Sequence, residues 1–259
     1  MQYALITGAS KGIGKAMAVE MAKRGYGVLL VARSEFLLQQ NCIELNELYK
    51  VPAQFLAIDL TDPTATQTIF NWCINNHYEV SVLINNAGYG LNGSLEDYSL
   101  YNHLQMMQLN MNVVVALCYL FLPELKKRKV AYIGNISSTA AYQSVPGLNI
   151  YAASKTFVRS FSRGLAYELR NTSVKVCCIC PGTTDTDFAQ RANITHEKAM
   201  KMAAKFNMNP VDVAKQAVDG ILAGKKEIVP GATNKVLKCL LNIVPDSFLE
   251  QSAAGIYGI

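Results

Sequence analysis

Seven short apolar runs alternate with longer helix-period segments along this chain, and that order leaves few folds open. The runs lie at 3–6, 27–31, 53–58, 80–84, 130–136, 174–179 and 227–229, with helical patterns at about 12–24, 34–49, 63–76, 98–127, 151–170 and 210–223 between them. Most of the runs are apolar throughout rather than alternating, as strands covered on both faces are. Strand–helix alternation on this scale predicts right-handed βαβ units. The expected fold is α/β: a doubly wound, parallel sheet of about seven strands flanked by helices. Ligands of such sheets sit beyond the carboxyl ends of the strands, and chemistry is sought there.

The chain has 259 residues, about half of them apolar, with no Pro-, Gly- or Ser-rich linker and no internal repeat. A single domain over 1–259 is expected. The net charge of +5 is modest and its basic residues are scattered. Their tightest cluster, Lys126 to Lys129, follows the apolar segment ending near Leu125 and reads as a helix C-terminus favoured by the macrodipole. No wide basic stripe with aromatic platforms exists, so nucleic acid is not expected as a partner. The seven cysteines are odd in number and fit no disulfide or zinc spacing. Three of them crowd 174–180 and read as buried free thiols, so a reducing cytoplasm is expected and no metal site. The chain enters its first strand without a basic and then apolar leader, and the apolar stretch 113–122 is short for a membrane span.

Thr7-Gly8-Ala9-Ser10-Lys11-Gly12-Ile13-Gly14 follows the first strand and opens a helix ending near Arg24-Gly25. Glycines there allow a tight turn and let a pyrophosphate approach amides at a helix N-terminus, where the dipole favours an anion. An ordinary Gly-rich turn is the alternative, since the spacing is GxxxGxG rather than GxGxxG. The strand before and the helix after favour a dinucleotide.

At the end of the second strand, an NAD site calls for an acidic residue to bond the ribose hydroxyls. This chain has Val31-Ala32-Arg33-Ser34 instead. Arg33 offers a planar fork to a 2′-phosphate, and Lys11 in the loop adds a second charge, so NADP(H) is favoured over NAD(H). Asp59-Leu60 follows the third strand, where Asp59 can accept from an adenine amino group, and Asn85-Asn86-Ala87-Gly88 follows the fourth. A turn or cap explains each of these equally well alone.

Tyr151 and Lys155 are four apart, so one helical face carries both. Ser138 ends the fifth strand thirteen residues earlier. A tyrosine of pKa about 10 is a poor base at neutral pH. A nearby ammonium and an oxidised nicotinamide are expected to stabilise its phenolate, while Ser138 holds the substrate oxygen where charge develops. Taken singly, an amphipathic pair on a surface helix and a strand-end cap explain these residues too.

Together, TGASKGIG at 7–14, NNAG at 85–88, NISS at 135–138, YAASK at 151–155 and PG at 181–182 resemble the short-chain dehydrogenase/reductase family. The resemblance implies an NAD(P)-dependent interconversion of a carbonyl and a secondary alcohol. Under it, Gly8, Gly12 and Gly14 match the coenzyme glycines, and Asp59 and Asn86 the adenosine-side contacts. Ser138, Tyr151 and Lys155 match the catalytic residues, and Lys155 also bonds the nicotinamide ribose. Asn110 matches the helix asparagine that holds a relay water, with Asn112 its rival. Pro181, Gly182 and Thr186 match the stretch bordering the nicotinamide. A homodimer or homotetramer through the helices at 98–122 and 151–170 is implied.

In this family the segment after Pro181-Gly182, here about 183–209, builds the substrate pocket. Phe188, Met200, Met202, Phe206 and Met208 on it, with Tyr89, Leu91, Tyr142 and Leu148 after other strand ends, are candidate walls for a bulky, partly apolar ketone or alcohol, and a short helix packing its own apolar face explains the segment equally well. The tail 230–259 contains an apolar stretch at 236–244. It is expected to pack on the domain, contact another subunit or lie on a membrane surface, in that order. The alternative function is a non-catalytic dinucleotide sensor or scaffold, because a fold outlives its chemistry.

Overall fold

The structure, a computed structural model, describes residues 1–241 and 243–259. Asn242, inside the apolar stretch expected at 236–244, lies outside them. The strands are β1 (Gln2–Thr7), β2 (Gly27–Ala32), β3 (Ala53–Ala57), β4 (Glu79–Asn85), β5 (Ala131–Ile136), β6 (Val174–Ile179) and β7 (Glu227–Ile228). They form one sheet in the order β3-β2-β1-β4-β5-β6-β7, every pair parallel. Strand order reverses at β1, which pairs with β2 on one side and β4 on the other. The crevice for a ligand opens there, beyond Thr7.

The helices are α1 (Gly12–Lys23), α2 (Glu35–Tyr49), α3 (Ala65–Asn75), α4 (Leu100–Met107), α5 (Val113–Lys126), α6 (Asn149–Glu168), α7 (Phe188–Arg191), α8 (Glu197–Phe206), α9 (Pro210–Leu222), α10 (Ala232–Leu241) and α11 (Asp246–Tyr257). Period-two alternation sends Ala4 and Ile6 to one face of the sheet, with Met17 and Met21 of α1, Leu38 of α2 and Val218 and Ile221 of α9. Leu5 and Leu83 go to the other face, with Ile69 of α3, Leu117 and Phe121 of α5 and Val158 of α6. Each such fully buried Leu, Ile or Phe contributes about 1.5–3 kcal/mol. Two covered faces explain why the strands are apolar without interruption.

One helix expected at 98–127 is broken. A π-helical turn, Gln108–Asn112, separates α4 from α5. The wider turn carries Asn110 inward at 0% exposure, while Met106 before it and Val113 after it stay buried. The run Leu100–Lys126 is 27 residues long and contains an 18-residue window of mean hydropathy 1.5, enough by length and composition to cross a membrane, which 113–122 alone did not suggest. Leu117, Phe121 and Leu125 are buried in the sheet's second core layer, as a core helix requires. Of the tail, α11 packs against α8 and buries Ala253 beside Tyr151.

Candidate active site

The glycine loop is shaped by what it must leave open. Gly8 has φ +65, a conformation glycine adopts without strain. A Cβ on Gly14 would lie 2.3 Å from the Gly8 carbonyl oxygen and 2.5 Å from Asn86 Nδ2, so only glycine fits there. Asn86 donates from Nδ2 to the carbonyls of Thr7 (2.9 Å) and Gly8 (3.2 Å), and the Thr7 hydroxyl accepts from the amides of Asn86 (3.0 Å) and Ala87 (3.1 Å). The Asn86 side chain therefore braces the loop rather than reaching outward. Ile13 packs on the first core layer, and Leu60 is buried in the second, so Leu60 can meet a ligand only through its backbone. This backbone-lined opening at the α1 N-terminus fits a pyrophosphate.

At the adenosine edge, the Arg33 side chain is 71% exposed and its guanidinium lies 3.8 Å from Asp59 Oδ2. Asp59 Oδ1 accepts from the Thr61 amide and hydroxyl at 2.9 and 2.8 Å. Against burial, which raises it, those bonds and the Arg33 charge hold the Asp59 carboxyl below the usual range. Ser34 stands at the N-cap of α2 without a side-chain cap bond. Lys11 departs from expectation: its ammonium lies 2.9 Å from Asp187 Oδ2, both side chains exposed, instead of standing free for phosphate. Thr186 lies against the loop from the same side, its Cγ2 at 3.1 Å from where a Gly12 Cβ would be. The Pro181 carbonyl accepts from the Thr139 amide at 2.8 Å, and the Asn234 side chain crowds Gly182.

Tyr151 and Lys155 stand on the first turns of α6 and are 8% and 5% exposed. Lys155 Nζ donates to the Ile136 carbonyl at 2.9 Å and lies 5.8 Å from the Tyr151 ring centre. A Cβ on Gly88 would be 3.2 Å from Nζ, which places Lys155 against the NNAG turn. Ser138 Oγ accepts from the Ala140 amide at 3.1 Å, and its hydroxyl hydrogen-bonds the Tyr151 phenol side chain. Asn110 Oδ1 accepts from the Tyr89 amide (3.1 Å), and its Nδ2 donates to the Tyr89 carbonyl (2.9 Å) and to Ser154 Oγ (3.1 Å). Ser154 Oγ in turn donates to the Tyr151 carbonyl at 2.7 Å. Asn112 instead donates to Gln108 Oε1 at the surface. Asn110, not Asn112, is the asparagine joined to the Tyr151 helix.

The expected lowering of the Tyr151 pKa by Lys155 is not found. Burial pushes the Tyr151 phenol up to about 12, and only the neighbouring Ser138 hydroxyl opposes it. Burial also pulls the Lys155 ammonium down to about 8. Desolvation penalises both charges, and the ammonium is turned to the Ile136 carbonyl. Burial thus favours the protonated form of Tyr151.

Tyr89, Leu91, Leu148 and Phe188 gather in the apolar cluster around Tyr151, with Met106, Val145 and Ile194. The Phe188 ring centre is 5.1 Å from that of Tyr151. Tyr142, expected as a further wall, belongs to a separate cluster with Cys178, Cys180 and Val229. Its hydroxyl donates to Glu227 Oε1 at 3.0 Å, and the cations of Arg159 and Lys238 lie over its ring. The half-buried Glu227 carboxylate claims it. Asn41 was missed from sequence: its Nδ2 donates to the carbonyls of Ala9 (3.2 Å) and Ser10 (3.1 Å), clamping the glycine loop from α2. The signal was there, an asparagine on the buried stripe of Leu38, Cys42 and Leu45.

The short chain dehydrogenase family model matches residues 2–197. An uncharacterized oxidoreductase of Staphylococcus epidermidis is 27% identical over 82% of this chain and 96% of its own length. The 3-ketodihydrosphingosine reductase of Bacteroides thetaiotaomicron is 32% identical over 75% of this chain and 68% of its own. A short-chain dehydrogenase from Sphingobium yanoikuyae, solved in complex with NADPH, superposes with a TM-score of 0.81 at 25% identity, over 95% of this chain and 96% of that one. The glycine loop, the NNAG turn and the Tyr151 helix all fall inside the matched segment, and the chain belongs to the short-chain dehydrogenase family, oxidoreductases that act on alcohol and carbonyl groups with a nicotinamide dinucleotide.

Proposed function

We propose that the protein is an NADP(H)-dependent reductase of apolar ketones, working reversibly, with Tyr151 as the acid/base. One observation carries the reading: the buried Tyr151 phenol, the Ser138 hydroxyl beside it and the buried Lys155 ammonium stand together at the carboxyl edge of β5, under an apolar cluster. The nicotinamide dinucleotide, when bound, supplies or accepts the hydride at the carbonyl carbon. The Ser138 hydroxyl donates a hydrogen bond to the substrate oxygen and fixes its position. Tyr151 gives its proton to that oxygen as negative charge develops there, and takes it back in the oxidative direction. Reduction starts from the protonated phenol, the form that burial favours.

Lys155 uses one proton on Ile136, which leaves two donors for the ribose contact the family implies. Asn110 spends its side chain on Tyr89 and Ser154, so any water it holds is held by its backbone. These bonds tie the Tyr89 turn to the Tyr151 helix. Arg33, exposed at the end of β2 where no carboxylate stands, supports NADP(H) over NAD(H). A relative named for reducing 3-ketodihydrosphingosine supports a ketone substrate, and a fold neighbour complexed with NADPH supports a nicotinamide dinucleotide. Loss of NADPH absorbance across ketones of graded bulk tests it. Turnover of bulky apolar members is expected; no turnover of any member would sink the proposal.

A further inference from the structure

The last helix of the chain returns to the site. On α11, Ala253 is buried in the Tyr151 cluster and Tyr257 packs on the same cluster. Tyr257 is held from two directions. A Cβ on Gly147, in the loop before α6, would lie 2.7 Å from the Tyr257 Cβ. The carbonyl of Ile256 meets Nδ1 of His196 at 2.7 Å, and the His196 ring lies against Gly258, which turns at φ +77 to end the helix. The tail is therefore pinned to the substrate segment by His196 and to the α6 entry by Tyr257.

We propose that Tyr257 determines which carbonyl compounds reach Tyr151, its ring forming a wall of the substrate pocket against the apolar body of the ketone. The proposal rests on the reading of Tyr151 as the acid/base of an apolar-ketone reductase. Its phenol stands within electrostatic reach of the reacting group, since a charge on Tyr257 disfavours the Tyr151 phenolate. Phe188 reaches the same space from the segment after β6, with a Cβ on Gly90 placed 3.0 Å from its Cζ and 3.3 Å from Tyr151 Cδ2. Two aromatic side chains from opposite ends of the substrate region thus border one acid. A ketone with an aryl or alicyclic group next to its carbonyl is the class that two aromatic walls would favour.

The test compares wild type, Tyr257→Phe, Tyr257→Leu and Tyr257→Ala as NADPH complexes, with acetone, acetophenone and benzophenone. Phe keeps the ring and should leave the order of kcat/KM among the three ketones unchanged. Leu and Ala should shift the benzophenone-to-acetone ratio by about tenfold or more through KM, with NADPH affinity unchanged. Leu serves where Ala lowers the melting midpoint. The same ketones are titrated calorimetrically into Tyr151→Phe and Tyr151→Phe/Tyr257→Leu holoproteins, which reads binding without turnover. Ketone affinities that shift there while wild type turns nothing over would support the pocket wall and refute the reductase. Ratios and affinities unchanged by Leu or Ala, or no ketone binding in either background, would overturn the role of Tyr257.

Discussion

The Lys155 ammonium donates to the Ile136 carbonyl across 2.9 Å in the interior of the protein, and burial lowers its pKa to about 8 from an ordinary 10.5. The folded state therefore releases this proton at lower pH than the unfolded chain does. Stability from this group is lowest below pH 8 and rises as pH climbs from about 8 towards 10.5, because the unfolded chain then binds more protons.

Lys155→Met removes the buried charge and with it that rise. The cofactor-free variant should be more stable than wild type at pH 7 by on the order of 3 kcal/mol, with the margin shrinking towards pH 10. Urea unfolding at the two pH values measures it. A margin that stays constant with pH would show that Lys155 is not the group responsible.

Arg33 stands 71% exposed at the end of β2. Replacing it by Ala should weaken NADPH binding by about ten- to a hundredfold, the worth of a charge-assisted pair, and leave NADH within about threefold. Fluorescence titration of both cofactors reads the two constants. Equal losses for the two would mean that the 2′-phosphate is not what Arg33 meets.

Asn41 differs in kind. Its amide holds the Ala9 and Ser10 carbonyls, which belong to the part of the loop that both cofactors share. Asn41→Ala should weaken NADPH and NADH alike and cost about 1–3 kcal/mol of stability. A selective effect on one cofactor would contradict its place as a clamp on the loop.

Asn110 and Asn112 separate cleanly. Asn110→Ala loses three hydrogen bonds, one buried and two part-buried, and should destabilise by about 2–4 kcal/mol, while Asn112→Ala at the surface should change stability by less than about 0.5 kcal/mol. Thermal unfolding of the pair decides, and a reversed order would refute the assigned π turn.

Much of this was legible in the sequence because it depends on local periodicity. Unbroken apolar runs announced strands covered on both faces, and the four-residue spacing of Tyr151 and Lys155 placed them on one side of α6. Spacing does not report burial, and burial reverses the expected direction of the Tyr151 pKa. The break at Gln108–Asn112 keeps helical periodicity on both sides, so the pattern shows one helix. Tyr142 follows a strand end like a pocket residue, yet Glu227, far along the chain, sets its direction. The seat of α11 depends on Ala253, Tyr257 and a contact with His196, none of which has a period to read.

Conversion of Tyr151 to Phe in the NADPH complex tests the central claim most directly. Turnover of the best ketone should fall by about 10²–10⁴-fold, the worth of a positioned acid, while NADPH affinity stays within about twofold of wild type. Turnover retained at the wild-type rate, with the cofactor still bound, would contradict the assignment of Tyr151 as the proton donor.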